Sequence, residues 1–463
     1  MRLFVQVGIA SLCAGLVAGS TGASAVSATE PGSRSGSTAQ SRVAQRLVPG
    51  EVVMLGDLQP GGGSSMQPSN FGTFWSAAGR VFFGADDGVH GKEPWVTDGS
   101  PGGTVLVGDV RPGPPGSNPA YFTPSANGVV FMTDDDRDVG QIRVTTARGT
   151  GGDVGATTLL AQGDDVVSIH AASLGGLALL ATSDFDQNPQ LWRSDGTIAG
   201  TVPLKRHLTL PDDISPIGDI ALFVDAQNPL WRTDGTVEGT RIIHKWRDGP
   251  NGSTVLLRLT TVGKRVFFIV SSVYGIGAEL WVSDGTRRGT QLVRDIRRGP
   301  RDSEVGRLTP DGPRLVFIAD DGVHGPEVWR TDGRPHGTVR LTDLPRGNIG
   351  KLAPCGSALY FTASRGDGAE LYVRQHGRVR RVAHVADAPR GLTCLGDSLV
   401  FTADDGVHGR ELYTLVSPRS RPVLHDLSPT GSSNPNRLFV ADGSLYFVAN
   451  DGVHGAEPWR LAG

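Results

Sequence analysis

The hydrophobic positions of this chain fall in short alternating runs that end at Gly, Asp or Pro. One cycle opens with the alternating segment "TQLVRDIRRGP" (Thr290 to Pro300). A weaker segment, "EVGRLTPDG", follows. The third, "RLVFIADDG" (Arg314 to Gly322), is strongly apolar. The fourth, "EVWRTDG" (Glu327 to Gly333), leads into a Gly/Thr loop, and the cycle begins again. Runs of 4 to 7 residues with period-two alternation and β-branched or aromatic content predict β-strands. No window carries the apolar stripe of a helix.

The cycle recurs along the chain. Aligned on the aromatic of "EPW", "ELW" or "ELY", it falls at Trp95, Trp192, Trp231, Trp281, Trp329, Tyr372, Tyr413 and Trp459. A degenerate copy, "QIRVTTARGTGG", puts Arg143 at the same place. Four short strands in a unit of about 46 residues describe one blade of a β-propeller. A β-helix would need much shorter repeats, and an open solenoid would need polar caps. The first copy opens with "EVVMLGDLQPG" (Glu51 to Gly61), which matches the segment that follows each Gly/Thr loop. The last copy stops at "EPWRLAG", where that partner would come next. An all-β, closed ring is therefore expected over residues 51–463, with the N-terminal strand pairing on the C-terminal blade and removing both free edges. The repeat count predicts nine blades. Eight would be the number if the degenerate copy, or the short copy around Trp231, formed none.

The segments "ELWVSDGTRRGT" (Glu279 to Thr290), "LWRSDGTIAGT" (Leu191 to Thr201) and "LWRTDGTVEGT" (Leu230 to Thr240) resemble the ELWxxDGT repeat family of bacterial exported proteins, some named hyalin-like. The resemblance covers essentially the whole chain after its N-terminus. It implies a repeat-built secreted or surface protein and no settled activity. Copies seven and eight depart from the pattern ("YVRQHGRVR", "YTLVSPRS"), and copy two lacks the aromatic.

Composition agrees with a turn-rich β fold, with 65 Gly and 30 Pro in 463 residues. A formal net charge of -3 gives no strong field towards nucleic acid or acidic lipid, and neither is expected as a partner. The N-terminus reads as a secretory signal: Arg2, the apolar "LFVQVGIASLCAGLVAG", then "ASA" with cleavage between Ala25 and Val26. As a transmembrane anchor the run is short of the ~20 apolar residues a span needs. Cys13 follows the bulky Leu12, where a lipidated cysteine wants a small residue. Residues 26–50 are polar and read as a flexible linker. The expected product is an exported monomer, periplasmic, secreted or held at the cell surface, with no transmembrane span. Two cysteines then remain, Cys355 and Cys394, ahead of comparable strands in neighbouring copies. Their even number in an exported chain permits a disulfide. Their offsets from those strands differ by one residue, so two buried free thiols stand as the alternative.

Candidate chemistry is sparse. "TDGTxxGT" reads as turn chemistry, with the Asp carboxylate accepting from nearby backbone N–H groups. A calcium loop is the rival reading, but "DGT" supplies one carboxylate where calcium takes six to eight oxygens. No cofactor is expected. The aromatic series reads as packing between blades, with a ring of sugar-stacking platforms as the alternative. "DDGVHG" and its relatives place His90, His324, His408 and His454 in equivalent loops. On a closed ring His408, His454 and His90 occupy consecutive blades, which makes them the one candidate metal or ligand patch. "GDSL" around Ser398, "RGD" (Arg365 to Asp367) and "NGS" (Asn251 to Ser253) each fill an ordinary slot of the repeat. Two functions stay open: a non-catalytic scaffold that binds glycan or protein, and a polysaccharide lyase or hydrolase with its site at one mouth of the channel. Residues that break the repeat and converge at a mouth would mark that site. The loops "TSDFDQNPQ" and "HLTLPDDISP" are where to look.

Overall fold

Each repeat folds into one four-stranded antiparallel sheet, and nine such sheets are present. The computed structural model describes residues 50–66, 74–134, 140–146, 157–162, 167–183, 190–208, 211–225, 228–247, 254–273, 276–344, 347–364, 368–382 and 387–463. The expected signal and the expected linker up to residue 49 lie outside them. Among the described residues no helix is long and apolar enough to cross a membrane.

Blade 6 shows how the sequence makes a blade. Its strands are Gly306–Asp311, Arg314–Asp320, Pro326–Thr331 and Val339–Arg340. Both faces of a blade are covered by neighbouring blades, so the second strand, "RLVFIAD", is an almost unbroken apolar run with five consecutive buried residues. First and second strands meet in tight turns. In blade 9 the turn is Asp442-Gly443, both with positive φ, as a hairpin that follows strand twist requires. First strands of successive blades contact one another, which places them innermost around the channel.

The opening segment of each cycle turns out to be the outer strand of the preceding blade, and it is shorter than its pattern predicts. Of "TQLVRDIRRGP" only Gln291–Leu292 is laddered. Val293 N–H continues the pairing onto the Leu280 carbonyl, and the chain then turns inward. The amides of Ile296 and Arg297 donate to the carboxylate of Glu279 instead of to a strand. The alternation there fits residues into a loop over a buried acid.

Apolar side chains collect in nine clusters, each shared by two consecutive blades. One joins blade 9 to blade 1 through Ala441, Tyr446 and Val448 against Leu55, Met66, Phe74 and Phe83. The ring is closed by strand exchange as well: Val52–Met54 pairs with the last strand, Val53 opposite Arg460. Both doubtful copies form full blades, with third strands Gly140–Thr145 and Leu230–Thr233, so the count is nine.

Cys355 and Cys394 form a disulfide between the inner strands of blades 7 and 8, with Cα atoms 5.4 Å apart. The one-residue offset explains the geometry. At equivalent positions both side chains would point the same way round the ring; a shift of one residue turns Cys394 back towards Cys355. Replacing both by Ser is expected to remove roughly 2–4 kcal/mol of stability. Thermal unfolding with and without reductant checks this: the wild type should lose stability in reductant and the double Ser variant should not respond.

Candidate functional site

The motif residues are structural. Each of the eight aromatics belongs to an inter-blade cluster, for example Trp231 against blade 3 and Trp329 against blade 5. The indole N–H groups of Trp95, Trp329 and Trp459 donate to Ala85, Ala319 and Ala449 carbonyls. Arg143, which stands in for the aromatic in blade 2, donates to Gln141 Oε1. In the "DGT" turn, Asp284 Oδ1 accepts from the Thr286 amide and hydroxyl, and Thr290 donates to the Thr286 carbonyl. Asp195 and Asp234 repeat the pattern. These carboxylates serve their own turns, where the rival reading would have them serve calcium.

The Glu of the motif has a role the sequence did not disclose. Glu93, Glu279, Glu327, Glu411 and Glu457 are at most 1% exposed. Each holds the loop that runs from an outer strand to the next inner strand. Glu411, for instance, accepts from the amides of Leu427 and Ser433. Burial raises all five carboxyls, Glu279 to about 7, although donors act against it.

The "DGVHG" loops share one hydrogen-bonding scheme. Asp87 Oδ1 accepts from the Val89 and His90 amides, and Asp87 Oδ2 holds the His90 Nδ1 at 2.7 Å. Asp321–His324, Asp405–His408 and Asp451–His454 repeat it. The final Gly is required because a Cβ at Gly91 would collide with the Pro114 carbonyl. His90, His408 and His454 thus lie on consecutive blades at one mouth, but each imidazole is committed to its own loop. Among the described residues no three His, Cys, Asp or Glu side chains form a group able to hold a metal.

These pairs fix the pH response. The Asp hydrogen bond raises the pKa of His90, His408 and His454, so their contribution to stability is complete below 6.5 and is lost as pH rises through the raised value. The buried glutamates act in the same direction: a raised acid costs stability as pH climbs from about 4.5 to about 7. Asp321 works oppositely. Burial would raise it, but the amides and ring of His324 and the Val323 amide hold it at about 2, so its contribution fails only in stronger acid. The melting temperature should fall progressively from about pH 4.5 to pH 8. A melting temperature rising from pH 6 to 8 would contradict this.

The same mouth has a second, inner layer. The inner strands of blades 2 to 9 each carry a register shift of the bulge kind. At five of these bulges a non-Gly residue sits at positive φ: Tyr121, Asp213, Arg258, Arg307 and Arg437, between 55 and 60°. A bulge re-aims a side chain and bends its strand. Both sheet faces are packed, so an exposed inner-strand side chain reaches solvent only through the channel or its mouth. Arg258, Arg307 and Arg390 are exposed, and Lys351 and Arg437 are half-buried. The in-phase signal was present: "RLT", "RLT", "KLA" and "RLF" place a cation before Leu in blades 5, 6, 7 and 9, and "PRGLT" places Arg390 one residue earlier in blade 8.

Blades 3 and 4 bring other chemistry to this layer. Asp212 and Asp213, from the loop singled out by sequence, lie beside each other, the Asp213 amide donating to Asp212 Oδ1 at 2.7 Å. Asp213 Oδ2 accepts the Leu259 amide of blade 5 at 2.8 Å, and His170 Nδ1 accepts the Ile214 amide of blade 4 at 3.2 Å. His170 is therefore neutral, with its proton on Nε2, in keeping with burial that lowers its pKa. Burial pushes Asp213 up to about 6. Residues 184–189 of "TSDFDQNPQ", and the short matches "RGD" and "NGS", lie outside the described residues. Ser398 opens the second strand of blade 8 at its inner turn, on the opposite mouth.

No family model matches the chain. No curated protein matches it. Among solved structures it is similar to the β-propeller domain of the Trilobed protease from Pyrococcus furiosus, which has an open velcro topology (11% identity, 66% of this chain, 97% of that chain, TM-score 0.37). Others are oligopeptidase B from Leishmania major (13%, 70% and 52%, TM-score 0.43) and an oligogalacturonate lyase solved with manganese (12%, 75% and 97%, TM-score 0.40). This chain spans about half the length of the oligopeptidase. At such identities and superpositions these proteins do not bear on what this chain binds or does.

Proposed function

We propose that this chain is an exported, non-catalytic repeat protein of the ELWxxDGT type that binds glycan or protein, at the cell surface or outside the cell, through the channel mouth carrying the "DGVHG" loops. The observation that supports this reading is the division of labour at that mouth. Asp213 and His170, the groups best suited to acid–base work, accept backbone amides of the next blade. The exposed inner-strand arginines have no such structural task. A screen of glycans and secreted proteins, with a turnover assay on every hit, tests the proposal. Binding without product supports it, and product release overturns it.

One observation favours a polysaccharide-acting enzyme as a second reading: a carboxyl raised to about 6 beside a second carboxylate is the pattern of a general acid. Under that reading Asp213→Asn abolishes turnover and leaves ligand affinity within about twofold.

A further inference from the structure

We infer that Arg258, Arg307, Lys351, Arg390 and Arg437, on the inner strands of five successive blades, form one track for an acidic polysaccharide, a polymer carrying carboxylate or sulfate groups. This rests on the reading that the mouth is a binding face, and it gives the ligand its chemistry.

Placement carries the argument. Blades 5 to 9 each contribute one cation at or beside the bulge of the inner strand. The track is therefore an arc with one positive charge per blade. Such spacing suits a polymer with a charge in each repeating unit; a single small anion would call for two or three cations converging on one point. The guanidinium fork matches carboxylate and sulfate oxygens in a two-bond geometry.

Among the described residues, no carboxylate lies within ion-pair distance of Arg307, Lys351 or Arg390, while the charge of Arg258 acts on Asp213. Arginines elsewhere have fixed tasks: Arg193 and Arg460 donate to the Gly235 and Gly99 carbonyls of the following blade, and Arg340 pairs with Asp343. Like charges are instead placed close together. Burial and then Arg307 depress Lys351, and burial and then Arg437 depress Lys92, a third-strand residue of blade 1 whose side chain reaches inward over Gly84. A chain with a net charge of -3 gains no stability from crowding cations in one sector of a mouth. A bound polyanion relieves that repulsion. Asp212 and Asp213, on blade 4, bound the arc and would repel the same ligand. Nucleic acid fits less well, because the aromatic series lies between blades and offers bases no stacking platform.

The test is calorimetric titration of the full chain with alginate and heparin, as carboxylate- and sulfate-bearing polymers. Dextran, poly-L-aspartate and oligo-dT serve as comparisons. At least one acidic glycan should bind at low salt and weaken as salt rises. The triple variant Arg258→Ala, Arg307→Ala, Arg390→Ala should bind it about tenfold or more weakly, since three charge-assisted contacts are lost. Removing the same charge from the opposite mouth (Arg287→Ala, Arg288→Ala, Arg334→Ala) should change affinity by less than about twofold, with melting temperatures equal in all three proteins. Equal affinity of the triple variant, failure of both acidic glycans, or tighter binding of poly-L-aspartate or oligo-dT overturns the inference. Dextran binding that ignores the charge changes overturns the inference alone and leaves the binding function standing. Cleavage of an acidic glycan bound on this track supports the track and overturns the non-catalytic reading.

Discussion

A chain lacking residues 50–66 is expected to lose its closed ring. That segment supplies the outer strand of blade 9 and the loop over Glu457. The Leu58 and Ser65 amides and the Ser65 hydroxyl all donate to that buried carboxylate. Leu55 and Met66, 1% and 4% exposed, sit in the cluster that joins blade 9 to blade 1. Three lost donors at about 1–3 kcal/mol and two lost side chains at about 1.5–3 kcal/mol come to roughly 6–15 kcal/mol. An average domain has no more than that in total, about 5–15 kcal/mol. Thermal unfolding and solution scattering should show an opened or aggregating chain, whereas removal of residues 1–49 should leave the melting temperature unchanged. A synthetic peptide of residues 50–66 added to the truncated chain should restore the transition. An unchanged melting temperature and radius after the truncation would refute strand exchange as the closing device.

Trp329→Ala should be the most damaging single change among the motif residues. The indole is 5% exposed, packs between blades 5 and 6, donates to the Ala319 carbonyl at 3.0 Å and carries Arg294 over its ring at 5.8 Å. Truncating a buried aromatic of this kind costs about 3–5 kcal/mol, because the cavity cannot collapse against two rigid sheets. Val323, six residues earlier, is 73% exposed at a loop tip, and Val323→Ala should stay within about 0.5 kcal/mol of wild type. Urea denaturation of the two variants separates packing from loop roles. A Trp329→Ala loss below about 1 kcal/mol would mean that the aromatic series is a surface feature after all.

The ring was legible in the sequence because its determinants are local and recur in phase. Trp95, Trp192 and their successors mark the third strand of each blade, and Asp-Gly turns mark its ends. Two neighbours of those motifs misled for a physical reason. The alternation in "TQLVRDIRRGP" reads as a long strand, yet a buried Glu279 captures the amides that a strand would pair. An acid that accepts from loop amides and a distant serine cannot be told, by sequence, from one facing water. The offset of Cys355 and Cys394 leaves bridge and free thiols both open in the sequence, and the facing of the two strands across blades decides for the bridge.

The proposed binding face is half legible in the sequence. The repeat-breaking segment "HLTLPDDISP" places Asp212 and Asp213 on the inner strand of blade 4. The cations do not stand out, because Arg258, Arg307 and Arg437 look like the polar half of an alternating strand. What distinguishes them is a bulge with positive φ, which no side-chain pattern announces. The four histidines drew attention through their motif, and their motif is what occupies them.

Repetition builds the ring, and the inner-strand bulges of blades 5 to 9 are its proposed binding face. Hydrogen exchange on the chain saturated with alginate or heparin tests this most directly. Exchange should slow over residues 257–260, 306–309, 349–352, 390–393 and 436–439, with no change in the "DGT" turns at 195–201, 234–240 and 284–290. Slowing at the "DGT" turns, or no change at the bulges, would contradict it.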